Sequence, residues 1–483
     1  MNRRQRSRLA SVPADKPSDA GDHEPSPSAP LLLSQVQALL SPDFVTSVYA
    51  TRNQGLRRRL LPLEAMALLL VSFCVQGLPS FAALLDRLAE GALPGLPKIS
   101  VTPQAFYQRL AALGHERFLL LLREVTSALR SSPWRRAWVQ ALAPWATGFY
   151  AIDDTTLDAL VRRVPELKAF AKGDPQTLAG RLATVLDLTT AKLAEVAFDS
   201  DSAANEKTHL LPLLLSLPRG ALLVMDLGYF AFPLFDELTA QGFFFVTRLR
   251  AKTSYRVLQV LADGSLYRDR VIYLGAYRAD RAAHPYRLIE LNLGGTWWSY
   301  VTNVLDPRRL SAASAWRLYL ERWGIEQAFF AIKRVLGLAS LRCSDREGVL
   351  AQVWSTLTVY QLLQDLRLQV AEAQGRNADD VSWERLVRRI AIYTELPAPK
   401  PPLREWLPTR ERLEKRGTRV RRAKELPAEV LAACGEAMAE MPALERFEER
   451  DARQGKPAPR AKAQLLIRAS LSQKGAKSRT KKT

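Results

Sequence analysis

Residues Tyr319–Lys333 read YLERWGIEQAFFAIK, and four of them, Tyr319, Arg322, Glu326 and Lys333, are spaced Y-x2-R-x3-E-x6-K. At about 100° per helical residue, Arg322, Glu326 and Lys333 stand roughly 60°, 20° and 40° from Tyr319, all to the same side. The spacing therefore predicts one narrow helical stripe. Leu318, Ile325, Ile332 and Leu336 form a second stripe about a quarter-turn away, suited to a core. One carboxylate flanked by two cations and a phenol can hold a metal ion beside a phosphate backbone. The alternative is an amphipathic helix with a solvated charged face.

The rest of the chain favours the first reading. It has 483 residues, enough for several domains and a large core, and it is 47% hydrophobic. Lys and Arg total 69 against 49 Asp and Glu, a formal charge of +20 that suits a polyanionic partner, nucleic acid first. Cys74, Cys343 and Cys434 are too few and scattered for a disulfide framework or zinc site, which fits a reducing, cytoplasmic setting. The four histidines, His23, His115, His209 and His284, are not paired at metal-ligand spacing. Any metal is then expected on oxygen ligands, as Mg²⁺ or Mn²⁺. The longest apolar run, 65–75, is too short to cross a bilayer, so no membrane partner is expected.

Outward from the opening stretch, the hydrophobic period divides the chain. Residues 1–31 read as a disordered tail. Residues 32–145 read as a helical DNA-binding domain. Within it Thr102 is a natural N-cap, Pro103 suits the first helical turn and Gly114 ends the helix. Phe106, Leu110 and Leu113 line one face, leaving Gln104, Gln108 and Arg109 for another, so a helix-turn-helix-like module competes with an ordinary bundle. The loop carrying Arg52, Arg57, Arg58 and Arg59 is either a phosphate contact or a solvated loop. Residues 146–250 run as three strands, helix, strand, helix, strand, the order of an RNase H-like core. Residues 251–309 read as a β-rich insertion, with one hairpin around Asp263-Gly264. Residues 310–370 bring the last part of the core and the Glu326 helix. A helical C-terminal region spans 371–452, with a Pro-rich link at 397–402. The tail 453–483 has ten Lys or Arg and no acid, so it reads as flexible and binds phosphate without reading sequence. The fold class is α/β: an RNase H-like core with a β-rich insertion and helical flanks.

Two further carboxylates stand at strand ends. Asp153 closes FYAID and Asp226 closes ALLVMD. An acid at the end of an apolar strand is poorly solvated unless a cation or backbone donor meets it. With Glu326 these make a candidate catalytic and metal-binding trio drawn from three core elements. Such a trio suits two divalent ions, to activate an attacking hydroxyl and to stabilise the leaving oxygen of a phosphodiester. Each aspartate alone could be a helix cap or turn residue. Asp154 is an alternative first ligand, but Asp153 is preferred as nearer the strand.

The chain resembles the DDE transposases of bacterial insertion sequences, specifically the YREK-signature, RNase H-like insertion-sequence family four. Tyr319, Arg322, Glu326 and Lys333 match that signature without a gap. Ile152-Asp153-Asp154-Thr155 and Met225-Asp226-Leu227-Gly228-Tyr229 resemble the two aspartate motifs. Residues 245–249 and 300–303 resemble the strands that follow, and an insertion before the glutamate is a family trait. The resemblance implies that Asp153, Asp226 and Glu326 hold Mg²⁺ or Mn²⁺ and that Tyr319, Arg322 and Lys333 grip DNA phosphates. It also implies that Trp298, with Trp297 as fallback, stacks on a flipped base. Trp298 could instead fill the core of the insertion. Arg248 is a DNA contact or a strand-end salt bridge. The expected partners are double-stranded element ends and target DNA, brought together by a homodimer. The competing functions are a structure-selective nuclease and a non-catalytic DNA-binding remnant.

Overall fold

The computed structural model describes residues 61–93, 95–157, 180–199, 210–276, 280–343, 345–395, 403–408, 425–447 and 467–469. The expectations for the N-terminal tail, the Arg52–Arg59 loop, the Pro-rich link, and the basic tail other than 467–469 lie outside them.

A mixed sheet organises the molecule. Its strands are β1 (Phe149–Thr156), β2 (Arg181–Asp187), β3 (Lys192–Asp199), β4 (Leu222–Met225), β5 (Phe244–Arg248), β6 (Tyr255–Asp263), β7 (Tyr267–Leu274), β8 (Tyr286–Leu293) and β9 (Thr296–Thr302), with a short β10 (Ile467–Ala469) beside β3. The order is β10-β3-β2-β1-β4-β5-β9-β8-β7-β6. β1, β2 and β3 form an antiparallel meander, and β4 and β5 run parallel to β1. This 3-2-1-4-5 arrangement is the RNase H-like core. The β2–β3 turn forms at Thr189-Thr190, where Asp187 accepts hydrogen bonds from the Thr189 N–H at 2.8 Å and both threonine hydroxyls.

The insertion is not a separate β unit. β9 pairs antiparallel with β5, and β8, β7 and β6 follow by antiparallel pairing, so the insertion lengthens the core sheet. Its centre is the ion pair Arg287–Asp269, wholly buried at 2.5 Å. Arg287 Nη1 also donates to the Leu310 carbonyl at 2.6 Å, and the Tyr267 hydroxyl donates to Asp269 at 2.5 Å. Every charge there has a partner, which is the condition for placing ions in a core.

The helices preceding the sheet are α1 (Leu63–Gln76), α2 (Phe81–Glu90), α3 (Pro103–Leu113), α4 (His115–Arg130) and α5 (Ala137–Leu142). At α3 the Thr102 hydroxyl accepts the Ala105 N–H at 3.2 Å, Pro103 opens the helix and Gly114 closes it at φ 72°, which favours glycine. Among the described residues these helices are not a free-standing domain. They share one hydrophobic core with the sheet and with α10 (Arg346–Ala373). Arg109, expected on an outer face, is 7% exposed and donates to the Leu61 carbonyl at 2.7 Å. Packing of Phe106, Leu110 and Leu113 turns it inward, so it is not an outward-facing groove contact. Gln104 and Gln108 are exposed.

The remaining helices are α6 (Leu210–Leu214) and α7 (Phe232–Ala240) within the core, α8 (Ala312–Glu321) and α9 (Trp323–Phe330) before α10, and α11 (Trp383–Glu395) and α12 (Ala428–Glu440) after it. Residues 348–371 of α10 are all buried, including its polar ones. Several of those polar groups bond across the core: Gln361 exchanges hydrogen bonds with the Leu193 backbone at 2.8 and 2.9 Å, the Tyr360 hydroxyl donates to Ala191 and Lys192 pairs with Asp365 at 2.6 Å, whereas the Ser355 hydroxyl has no partner among the described residues. No single described helix is long and apolar enough to cross a membrane; α1 and α2 qualify only as a pair bent by 110°.

Candidate active site

Strand alternation puts two carboxylates on one face. In β1, Phe149 and Ala151 belong to the core beneath α8–α10, whereas Ile152 belongs to the core on the opposite face. By the same period of two, Asp153 follows Ala151, and Asp154 follows Ile152. In β4, Leu222 and Val224 face α8–α10, and Asp226, just past the strand, continues their side. β1 and β4 are parallel neighbours, with Ile152 in register with Met225, so both acids lie at the same end of the sheet.

The signature region is not one uniform helix. The hydrogen-bond ladder tightens after α8, where Arg322 N–H donates to Tyr319 and Ile325 N–H to Arg322. Beyond α9 it widens into a π-helical turn, Ala331–Val335, with Leu336 N–H donating to Ala331 at 2.9 Å. The constant 100° step therefore fails at both ends of α9. Leu318, Ile325, Ile332 and Leu336 are nevertheless all buried, as their stripe predicts. Lys333 lies half-buried within the π turn, a feature that often marks functional sites.

Arg322 stands where the three carboxylates meet. Its Nη2 donates to Glu326 Oε1 at 2.8 Å and lies 3.9 Å from Asp226 Oδ1, while its Nη1 lies 3.6 Å from Asp153 Oδ2. The carboxylate side chains are 23%, 44% and 32% exposed at Asp153, Asp226 and Glu326, against 13% for Arg322. Burial would lower the Arg322 pKa, but Asp226, Tyr319, Glu326 and Asp153 together hold it above its ordinary value. Burial pushes the Asp153 carboxyl up to about 7, against the opposing pull of the Asp154 N–H and Arg322. Asp154 occupies other surroundings, paired with Arg181 at 2.5 Å across β1 and β2.

The other candidates border this centre. Tyr319 is half-buried, its ring edge-on to Tyr300 at 5.3 Å and 5.8 Å from the Arg322 guanidinium carbon. Burial raises its phenol pKa. Arg248 pairs in register with Tyr300 and lies 4.6 Å over the Trp298 ring. Its Nε is buried without a hydrogen-bond partner among the described residues. Trp298 is half-buried against the core with that face under Arg248, and Trp297 packs beneath Arg268 at 4.2 Å.

The donor set suits a hard, oxygen-seeking divalent ion: three carboxylates converge on one cation, with no soft ligand among them. As placed, however, no group of three or more His, Cys, Asp or Glu among the described residues is close enough to hold a metal ion. The guanidinium takes the space between them. The sequence reading paired Arg322 with Glu326 through their i, i+4 spacing, but its contacts with Asp153 and Asp226 have no local signature. Two aromatic residues on α9, Trp323 and Phe330, are 49% and 47% exposed beside Glu326 and were not singled out from sequence.

Residues 147–362 match the protein family described as Transposase DDE domain. The match contains every site residue named above and supports a DDE transposase, an enzyme that cleaves and transfers nucleic-acid strands. No curated protein matches the chain. Among solved structures, a piggyBac transposase synaptic complex with hairpin DNA, determined by cryo-EM, is 11% identical, with 87% of each chain covered and a TM-score of 0.40.

Proposed function

We propose that this chain is a DNA transposase of insertion-sequence family four that binds the inverted repeats of its element, cleaves at the ends and joins the freed 3′-hydroxyl to target DNA. The observation that carries the reading is the meeting of Asp153, Asp226 and Glu326 on one guanidinium, inside the region matching a transposase domain. A structural cluster has no need of three partly exposed carboxylates from a strand, a strand end and a helix.

In this reading Asp153, Asp226 and Glu326 hold Mg²⁺ or Mn²⁺. Bound there, such ions would supply Lewis acidity for phosphodiester hydrolysis and transfer. The chain's own residues do the positioning. β1 and β4 fix the two aspartates by their backbone ladders, and α9 brings Glu326 across the same face. Tyr319, Arg322 and Lys333 contact the phosphates of the strand being cut, and Arg248, with no ion pair among the described residues, adds a fourth polar contact. Such contacts orient DNA without reading its bases. Trp298 receives an unpaired base once Arg248 shifts from its ring. Two element ends imply a homodimer in the assembled complex, acting on DNA in the cytoplasm.

The test is cleavage of a labelled duplex carrying the native element end, with Mg²⁺ or with EDTA, by wild type and Asp226→Asn. The expected result is metal-dependent nicking at the end, lost in the variant, followed by joining of a pre-nicked end. Specific binding without cleavage by wild type, even with Mn²⁺ and paired ends, would reduce the chain to a DNA-binding remnant.

A further inference from the structure

Arg322 is held among the carboxylates by charge more than by fit. A well-matched guanidinium–carboxylate contact is bidentate. Here one oxygen is within hydrogen-bond distance, at 2.8 Å, and the other two contacts are 3.6 and 3.9 Å. Its Nε is buried with no hydrogen-bond partner among the described residues. The Tyr319 side chain also hydrogen-bonds Arg322, yet two of the guanidinium's three carboxylate contacts are loose and its Nε is unmet, while the acids around it open to solvent.

A divalent ion needs the same oxygens. Two cations in this partly buried space would repel each other, so the guanidinium must leave before the carboxylates can close on a metal. A phosphate is a suitable destination, because its geometry takes a guanidinium bidentately, better than three scattered oxygens do.

We propose that Arg322 is the resident counter-ion of the carboxylate cluster in the DNA-free protein, and that a DNA phosphate draws it away, so that divalent-metal capture is conditional on DNA. This rests on the reading of Asp153, Asp226 and Glu326 as metal ligands. The signature then has a second purpose: the i, i+4 spacing that lets Arg322 reach phosphate also lets it close the site through Glu326 when no phosphate is present. Metal loading away from DNA is suppressed by the residue that reports DNA.

The experiment measures Mn²⁺ binding to the full chain from the electron paramagnetic resonance of the free ion, and no cleavage is read. Without DNA, Arg322→Gln should bind Mn²⁺ about tenfold or more tighter than wild type, the scale on which neighbouring groups tune metal affinity. Asp226→Asn on that background should remove the gain. Adding a short duplex, corrected for Mn²⁺ bound by the duplex alone, should tighten wild type by a similar factor and leave Arg322→Gln unchanged. The wild-type arm needs no variant to fold. Equal affinities of wild type and Arg322→Gln without DNA, or a wild-type affinity indifferent to the duplex, would overturn the inference alone. Failure of every form to bind Mn²⁺, with duplex present, would overturn the metal-ligand reading as well.

Discussion

Two guanidinium–carboxylate centres in this molecule use the same chemistry to opposite ends. Arg287 and Asp269 are both 0% exposed, joined at 2.5 Å, with Leu310 and Tyr267 taking up the remaining hydrogen bonds. Arg322 meets three carboxylates, one at hydrogen-bond distance and two farther, at a margin where Asp226 is 44% exposed. The first centre is closed and satisfied, and ties β7 and β8 to the start of α8. The second is open and incompletely satisfied, so its partners can be exchanged. Burial together with hydrogen-bond completeness, not residue type, separates the closed ion pair from the open one.

The sharpest break in that comparison comes from removing one partner of the closed centre. Asp269→Ala leaves Arg287 buried without a counter-charge and should cost about 3–5 kcal/mol of folding stability, read by denaturant unfolding. A loss below about 1 kcal/mol, as for exposed pairs, would mean that the two centres do not differ as described.

At the open centre the pattern should invert. Glu326→Gln should change stability by no more than about 1 kcal/mol. It should lower end cleavage by more than about a hundredfold while end binding persists, since even groups supporting metal ligands cost about 10–100-fold. Loss of binding in parallel with cleavage would make Glu326 structural.

The pH response sharpens the contrast further. Asp153 has a folded pKa of about 7, above the ordinary value near 3.8. The folded state therefore holds a proton that the unfolded state has released between those values. The stability this contributes is complete below the unfolded pKa and is lost as pH rises through about 7. Asp153→Asn does not ionise, so without divalent metal its Tm relative to wild type should climb between pH 5 and pH 8. A constant difference across that range would mean Asp153 ionises freely. The smallest effect is expected at Lys333, where Lys333→Ala should reduce the salt slope of DNA binding by about one. An unchanged slope removes Lys333 from the phosphate contacts.

Much of the fold was legible because its signals are local. Short apolar runs bounded by turn or polar residues marked β1 to β5, and the Thr102, Pro103 and Gly114 signals bounded α3. Less was legible where packing overrides a local pattern. The 251–309 stretch reads as an insertion, yet its strands extend the core sheet, because backbone pairing of β9 with β5 leaves no boundary visible in composition. Arg109 reads as a surface cation, yet the Leu61 carbonyl captures it. The burial of the polar residues of α10 has no local signature, because their partners are the backbone of β3 and the β2–β3 turn.

The sequence by itself determined that Asp226 ends an apolar strand, that Arg322 lies one helical turn from Glu326, and that a basic chain of this size suits nucleic acid; it also read Asp153 as a strand end, but pairing with β2 carries β1 on to Thr156 and leaves Asp153 within the strand. These follow from nearest-neighbour geometry: two residues per pleat, 3.6 per turn, and the summed charge. Only the tertiary structure decided that Asp153, Asp226 and Glu326, separated by 73 and 100 residues, share one guanidinium, and that the helical ladder tightens at Arg322 and widens around Lys333. The strand register and the docking of α9 set those distances, and both arise from contacts between elements far apart in the chain.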